Sequence, residues 1–424
     1  MTDTFLSETR ARWRITVHRR DFTSFGSPRA TGLAEITDAR SRRLEMGWNG
    51  SPAKLTLTVD GRSPSADYID ELITDLVAWR FDPADNTEYP MFRGVVSASE
   101  DTISEQAHTV NFTAMDYSAV LARRYLNPKT DLVYTQLDQD SIVGDLLNRA
   151  TSGQAPAAGT PSFAPGSALP ISRALVGPDG ATRSGSGKLR DRTYTGGSSI
   201  GGLIGDLGDV DGGFDWDIQP YGGDAAGGRD LLRVWYPSRG VGRTDVALIY
   251  GATVSALTRN VQSATTDGDS GYANYVRVLG DNGGTAGAPQ LVADAWNADA
   301  NDIGRIPVGL WAAIEQASDV KVQATLNEKA AGDLARWGTL VPAYTLTLRP
   351  GWYRPGFPNL GDTVPLVVDS GRLHVSGTVR VLGLAFDIGD DAEETVEMTV
   401  GRPASDFTAL FRKTRRDVDA LARR

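Results

Sequence analysis

Two stretches near opposite ends of this chain carry nearly the same text. Pro52-Ala53-Lys54-Leu55-Thr56-Leu57-Thr58-Val59-Asp60-Gly61 is echoed by Pro342-Ala343-Tyr344-Thr345-Leu346-Thr347-Leu348-Arg349-Pro350-Gly351. After the first stretch come Arg93-Gly94-Val95-Val96, an acidic tip, and His108-Thr109-Val110-Asn111-Phe112-Thr113. After the second come Ser376-Gly377-Thr378-Val379, an acidic tip with Asp387, Asp390 and Asp391, and Glu394-Thr395-Val396-Glu397-Met398-Thr399. Apolar residues that alternate with period two build strands buried on one face. One β unit written twice constrains the fold strongly, because a chain with two like units can present a higher symmetry than its oligomer has. Aligning Pro-Ala and Gly puts the alternating leucines one residue out of register, and a one-residue slip exchanges strand faces. Two unrelated amphipathic hairpins would alternate in the same way, so chance similarity stays open beside duplication.

Length and charge narrow the classes. At 424 residues the chain holds about three or four domains. Gly is abundant (47 residues) and helix-forming runs are few, which favours β structure with many turns. With 43 Lys and Arg against 53 Asp and Glu the net charge is −10, whereas nucleic acid or anionic membranes call for a basic face. There is no cysteine, which excludes disulfides, thiolate zinc sites and cysteine nucleophiles. Residues 1–14 are polar and carry no apolar stretch, so no Sec-type signal is expected. The longest apolar run, 246–257, is too short and too polar to span a bilayer.

Residues 1–127 read as one β domain. Asn49-Gly50 between Leu44 and Ala53 supplies the positive φ values of a tight hairpin turn. Asp116 caps a short helix that Asn127-Pro128 ends. Residues 128–260 read as a peripheral α+β domain with helices over 140–150 and 196–207 and strands over 213–218 and 231–236. Within it, 151–190 is rich in Gly, Ala, Pro and Ser and reads as a long flexible insertion. Residues 261–403 read as the second β domain, including a helix over 320–337 with a stripe of Val322, Leu326, Ala330, Leu334 and Trp337. Residues 404–424 read as an amphipathic helix whose stripe, Phe407, Leu410, Phe411, Val418 and Leu421, is a candidate for docking a partner or for packing on its own domain. The fold class expected is mainly β (α+β): two similar tube-like β domains, a peripheral α+β domain and a terminal helix.

Chemistry-bearing motifs are scarce. His18, His108 and His374 all lie on expected strands without partners at metal-ligand spacing. Ser184-Gly185-Ser186-Gly187-Lys188 suggests a phosphate loop but has Thr182 in place of the first Gly and Leu189 in place of Ser/Thr. The Asp-Gly turns at 209–212 and 267–271 do not complete a calcium loop. No catalytic, cofactor-binding or metal-binding residue is assigned, and no cofactor is expected.

The order of motifs resembles a known family. Phe92-Arg93-Gly94-Val95-Val96, Thr109-Val110-Asn111-Phe112-Thr113-Ala114-Met115-Asp116-Tyr117 and Leu121-Ala122-Arg123-Arg124-Tyr125-Leu126 resemble the N-terminal hub domain of tail-tip (minor tail, baseplate-hub) proteins of long-tailed phages of actinobacteria. Tyr272-Ala273-Asn274-Tyr275-Val276-Arg277-Val278-Leu279-Gly280 and Asn359-Leu360-Gly361-Asp362-Thr363-Val364 are similar to two further motifs of that family. The resemblance implies a non-enzymatic virion protein at the distal tail tip, made in the host cytoplasm. It implies a homotrimer whose two β units per chain form a pseudo-sixfold ring under the sixfold tail tube. It also implies contacts with the distal tail protein and tube above, other tip proteins below and the tape-measure protein in the lumen, with DNA met only in transit and no membrane insertion. Candidate ring contacts are Leu55, Leu57, Val59, Val95, Leu346, Leu348, Val379 and Val381. The alternatives are a carbohydrate-binding receptor module, with Trp352-Tyr353 as its candidate surface, and a cell-wall glycoside hydrolase using paired carboxylates.

Overall fold

A computed structural model of the chain describes residues 11–21, 29–126, 131–151, 169–208, 212–220, 229–260, 273–280, 290–296, 310–316, 323–337, 343–355, 357–389 and 393–401. Seven strands come first: β1 (Arg12–Asp21), β2 (Arg29–Ile36), β3 (Ser41–Glu45), β4 (Lys54–Asp60), β5 (Thr74–Asp82), β6 (Thr87–Ile103) and β7 (His108–Met115). A mixed stretch follows: α1 (Tyr117–Leu121), β8 (Leu132–Asp138), α2 (Gln139–Thr151), β9 (Ile171–Val176), β10 (Leu189–Tyr194), α3 (Ile200–Gly208), β11 (Asp215–Gln219) and β12 (Asp230–Trp235). Then come β13 (Leu248–Ile249), β14 (Val254–Asn260), β15 (Tyr275–Leu279), β16 (Val292–Trp296), β17 (Ala312–Gln316) and α4 (Gln323–Trp337). The last strands are β18 (Ala343–Leu348), β19 (Thr363–Ser370), β20 (Leu373–Ile388) and β21 (Glu394–Gly401). The protein is mainly β and multidomain.

The echo in the sequence is an echo in topology. The main sheet runs β14-β18-β21-β20-β3-β4-β7-β6-β5-β1-β2, and β19 also pairs with β20. The order β3-β4-β7-β6-β5 therefore recurs as β14-β18-β21-β20-β19. Each copy has one very long strand, β6 or β20, whose first half pairs with the strand before it. Val110, Phe112 and Ala114 of β7 are buried, as are Val396, Met398 and Val400 of β21, so the two Thr-Val-x-x-Thr runs are equivalent positions. On β4 and β18 the buried sets are Leu55, Leu57, Val59 and Tyr344, Leu346, Leu348. Face conservation thus shifts the alignment by one residue from the Pro-Ala match, since only side chains two apart share a face.

Local chemistry sets the turns. Asn49 and Gly50 take φ values of 53° and 82°, the left-handed pair that a two-residue hairpin needs. Asp116 caps α1 by accepting the Ser118 N–H at 3.0 Å. A Cβ on Gly47 would stand 2.2 Å from Ala53 N, so the chain closes this hairpin only with glycine there.

The stretch after β7 builds its own core. Ile142, Leu146 and Leu147 of α2 pack with Ile200, Leu203, Ile204 and Leu207 of α3 and with Trp216. One expectation is corrected here. Residues 171–176, inside the segment read as a flexible insertion, form β9, which pairs in parallel with β12 and buries Ile171, Leu175 and Val176. Residues 189–190 likewise begin β10, paired with β8. Composition averaged over 151–190 hides a six-residue strand with four apolar residues, Ile171, Ala174, Leu175 and Val176, whose backbone hydrogen bonds and burial offset its ordering entropy. Residues 152–168 lie outside the described residues.

The described residues form two compact units, one within 11–257 and 346–400, the other within 258–345. In the second unit β15 pairs antiparallel with β16 and parallel with β17. Leu326 and Ala330 of α4 cover one face of that sheet by packing on Val276, Val278, Ala293 and Ala313. The helix expected over 320–337 thus belongs to a unit of its own and not to the duplicated β unit. Val322 and the side chain of Trp337 lie outside the described residues, as does the helix expected over 404–424.

Candidate assembly interface

The two copies are joined inside the chain by strand pairing. Beyond its β19 partner, the second half of β20 takes β3 as a neighbour, antiparallel, with Ala385 opposite Glu45 and Ile388 opposite Arg42. Met46 N–H donates to Leu384 C=O at 2.8 Å and extends the ladder. Across the joint the Arg43 guanidinium pairs with Asp387, and with Glu397 at 3.0 Å. Under it the Phe386 ring packs on Trp13 at 5.4 Å and on Tyr353 at 5.2 Å between centroids. Arg80 of β5, 2 % exposed, holds Glu394 of β21 with two hydrogen bonds of 2.7 and 2.9 Å. Trp13 Nε1 donates to the same carboxylate at 2.7 Å. Arg80 Nη2 also donates to Tyr353 C=O at 3.1 Å, and Nη1 faces Asp82 at 3.6 Å, so the cost of burying the pair is offset by further polar neighbours.

A second set of contacts ties both copies to the mixed stretch. Asn49 Oδ1 accepts the Trp216 N–H at 2.7 Å and Asn49 N–H donates to Trp216 C=O at 2.6 Å, so the first hairpin turn docks on β11. Trp48 lies against two guanidiniums, Arg380 at 4.9 Å and Arg239 at 6.0 Å from its ring centroid. Arg380 Nη2 donates to Asp215 at 2.7 Å. Gly361 explains the Leu-Gly-Asp turn. It takes φ 86°, and a Cβ there would come within 2.5 Å of Arg239 C=O. Gly240 faces it with φ 91°, so two backbones cross where no side chain fits. Asp362, 2 % exposed, accepts Val241 N–H and Asn359 N–H, each at 2.9 Å, and holds Arg243 Nε at 3.1 Å.

Two fully buried carboxylates here are displaced from the ordinary range. Burial pushes Asp217 up, but Arg239 at 2.8 Å and Arg233 outweigh it and hold the group below the usual value. Asp116 has no such cation. Burial raises it to about 6 despite hydrogen bonds from Ser118 and the Ala53 N–H.

The residues expected to make ring contacts are internal to the chain. Leu55, Leu57 and Val59 lie on β4, between β3 and β7, and are 0–1 % exposed. Val95 (5 %), Leu346 (0 %), Leu348 (3 %), Val379 (5 %) and Val381 (0 %) are also buried. The Trp352-Tyr353 surface is divided, because Tyr353 packs into the core on Phe386. Phe407, Leu410, Phe411, Val418 and Leu421 lie outside the described residues, as do 209–211 and 267–271. Asp138 fills the loop around Ser186-Gly187, accepting Ser186 Oγ–H at 3.0 Å and Gly187 N–H at 2.8 Å, so a carboxylate sits where a phosphate would. Among the described residues no group of three His, Asp or Glu side chains is arranged to hold a metal ion. A depression of about 330 Å³ is lined by Asp82, Asp85, Tyr89, Arg354 and Phe357, with Asp82 turned toward Arg80 at 3.6 Å.

Sequence reasoning missed the joint. Arg43 and Arg80 carry no sequence signal of a partner, and the acidic tip with Asp387 before Glu394 is the one signal that pointed to the place.

No protein-family model matches the sequence, and no curated protein is similar to it in sequence. Solved structures are similar in fold. A tail protein from Neisseria meningitidis MC58 superposes with a TM-score of 0.53 at 10% identity, covering 92% of this chain and 97% of that one. The 43 kDa tail protein of prophage MuSo2 from Shewanella oneidensis superposes with a TM-score of 0.55 at 12% identity, covering 93% and 99%. The chain has the mainly β, multidomain fold of these two tail proteins.

Proposed function

We propose that this chain is a structural component of a phage tail, acting as a hub at the distal tip. One observation carries the reading: a single chain contains the strand order β3-β4-β7-β6-β5 and its repeat β14-β18-β21-β20-β19, fused side by side. Three such chains in a ring would offer six like units to a sixfold tube. The fold shared with the two tail proteins supports the setting. On this reading the work is mechanical. The ring adapts the symmetry of the tube to a threefold tip, lines the exit for DNA and opens when the host is engaged. Its partners would be its own copies, the distal tail protein and tube, the tape-measure protein in the lumen and other tip proteins. No catalytic step is assigned to it. Immunogold labelling of phage particles followed by symmetry-resolved imaging tests this. Label at one tail tip with three chains in a pseudo-sixfold ring is the expected result. Six equivalent chains, or unlabelled particles, would sink it.

A second reading, carbohydrate binding, has one observation in its favour. Trp296 is 61 % exposed on the open face of the β15–β17 sheet, opposite Tyr275. Beside them Arg277 and Asp294 pair at 2.8 Å. An exposed indole next to a charged pair can stack on a sugar face and hydrogen-bond its hydroxyls. Saturable binding to host envelopes that Trp296→Ala abolishes would establish it.

A further inference from the structure

We propose that a second copy of this chain docks with its β14 along the outer edge of β6 at residues 97–103, so that copies join head to tail. The proposal rests on the hub reading and adds to it the surface by which copies meet.

The argument is one of equivalent positions. In the second copy, Gly361 N–H donates to Val381 C=O at 2.8 Å, and the turn after β20 closes with Gly389 N–H on Glu393 C=O at 3.1 Å. In the first copy, Leu72 N–H donates to Val96 C=O at 2.8 Å, and the turn after β6 closes with Ser104 N–H on Ala107 C=O at 2.8 Å. The spacing from 96 to 104 equals that from 381 to 389, so residues 100–103 of β6 stand where 385–388 of β20 stand. In β20 those residues have β3 on their outer edge. In β6 the inner edge pairs with β7, and among the described residues no strand lies on the outer edge beyond Val96. Exposure follows. Phe386 and Ile388 are 0 % and 2 % exposed, whereas Ile103 is 73 % exposed.

The missing neighbour can be named. The strand on β20 is β3, the first strand of the other copy, next to β4. The equivalent of β3 is β14, next to β18 and at the end of the sheet. Thr253 C=O accepts Arg349 N–H at 2.9 Å, and Thr347 C=O accepts Ser255 Oγ–H at 3.0 Å. These contacts set β14 antiparallel to β18, as β3 is to β4. Ser255 and Ala256 of β14 are exposed. Among the described residues, the sheet of one chain therefore has a β14 edge with no β6 beside it and a far half of β6 with no β14 beside it. Two different edges that fit each other make a heterologous contact, which closes into a ring or propagates. Charge favours this pairing over β6 against β6. The latter would bring Glu100 and Asp101 toward the same residues of the other copy, and like charges across strands repel. β14 instead brings Arg259, much as β3 brings Arg43 to Asp387.

The chain has no cysteine, so engineered thiols report without background. Full-length chains carrying Thr102→Cys are mixed with chains carrying Ser255→Cys, Ala256→Cys or Leu257→Cys, oxidised, and resolved on non-reducing gels, with light scattering in parallel. The chain with both Glu45→Cys and Ala385→Cys is the control, because its joint must close within one chain without a change in mass. The expected result is a covalent dimer in at least one mixture and none from either variant alone. Dimers from Thr102→Cys chains alone would mean like edges pair and overturn the proposal. A defined oligomer by light scattering without adduct at any β14 position overturns this joint and leaves the hub reading standing. Chains that stay monomeric and uncrosslinked at the highest attainable concentration overturn the joint as well, while particle imaging decides the hub reading separately.

Discussion

The two copies of the β unit share strand order and differ in what surrounds them. In the second copy the far half of the long strand is buried beneath β3, Trp13 and Tyr353. In the first copy the same half stands open, with Glu100, Asp101, Thr102 and Ile103 exposed. The turns differ too. The first hairpin closes in two residues at Asn49-Gly50, while residues 261–342 separate β14 from β18. A duplicated unit tolerates a long insertion in a hairpin turn because loop closure costs rise only slowly with length. The difference teaches that a repeat inside one chain covers the far half of one long strand by pairing it with the other copy and, among the described residues, leaves the equivalent half exposed.

Substitutions at equivalent places can break or sharpen this comparison. The largest effect is expected from Leu346→Asp with Leu348→Asp. Both side chains are buried, so two charges in the core should leave no folded chain, read by circular dichroism of the purified protein. A folded variant would mean that the β18 core is dispensable. Glu394→Gln comes next. It leaves the Arg80 guanidinium buried with only Asp82, 3.6 Å away, as a counter-charge, and breaking such a pair costs about 3–5 kcal/mol, measurable by urea unfolding. A loss below about 1 kcal/mol would show that the copies are not held together there.

Ile388→Ala should cost about 2–5 kcal/mol, because it leaves a cavity at a position 2 % exposed. The pH profile tests the first copy alone. Burial raises Asp116 to about 6, so the folded chain holds its proton more tightly than the unfolded one. The group therefore favours folding most below about pH 4, and that contribution is lost as pH rises through about 6, on the order of 2–3 kcal/mol. Asp116→Asn should flatten that part of the urea-derived profile. An unchanged slope in the variant would assign the dependence to other groups. The smallest effect is expected from Ile103→Ala, the equivalent of Ile388. Its side chain is 73 % exposed, so monomer stability should change by less than about 0.5 kcal/mol. Equal losses at 103 and 388 would erase the distinction between open and covered edges.

Much of the strand pattern was legible because alternation is a local property. Val110 and Phe112 against Val396 and Met398 could be aligned before any coordinates, and burial agrees at each position. Asn49-Gly50 and Asp116 announced a turn and a cap through their own backbone chemistry. The β9 strand was not legible, since Ile171-Ser172-Arg173-Ala174-Leu175-Val176 is short and sits within a Gly- and Pro-rich stretch. Nor was the separate unit around α4, because a buried stripe on a helix says that something covers it and not which sheet does.

The candidate interface divides along the same line. The sequence by itself showed two like β patterns, with chance similarity open beside duplication, determined which side chains share a face on β7 and β21, and holds no cysteine. Only the tertiary structure decided which edge of each unit is covered, that Arg80 and Glu394 meet, and that Gly240 and Gly361 mark a crossing of backbones. The physical reason is range. Period-two alternation is written into neighbouring residues and fixes the face a side chain takes, whereas the neighbour of a strand edge is set by hydrogen bonds to residues hundreds of positions away.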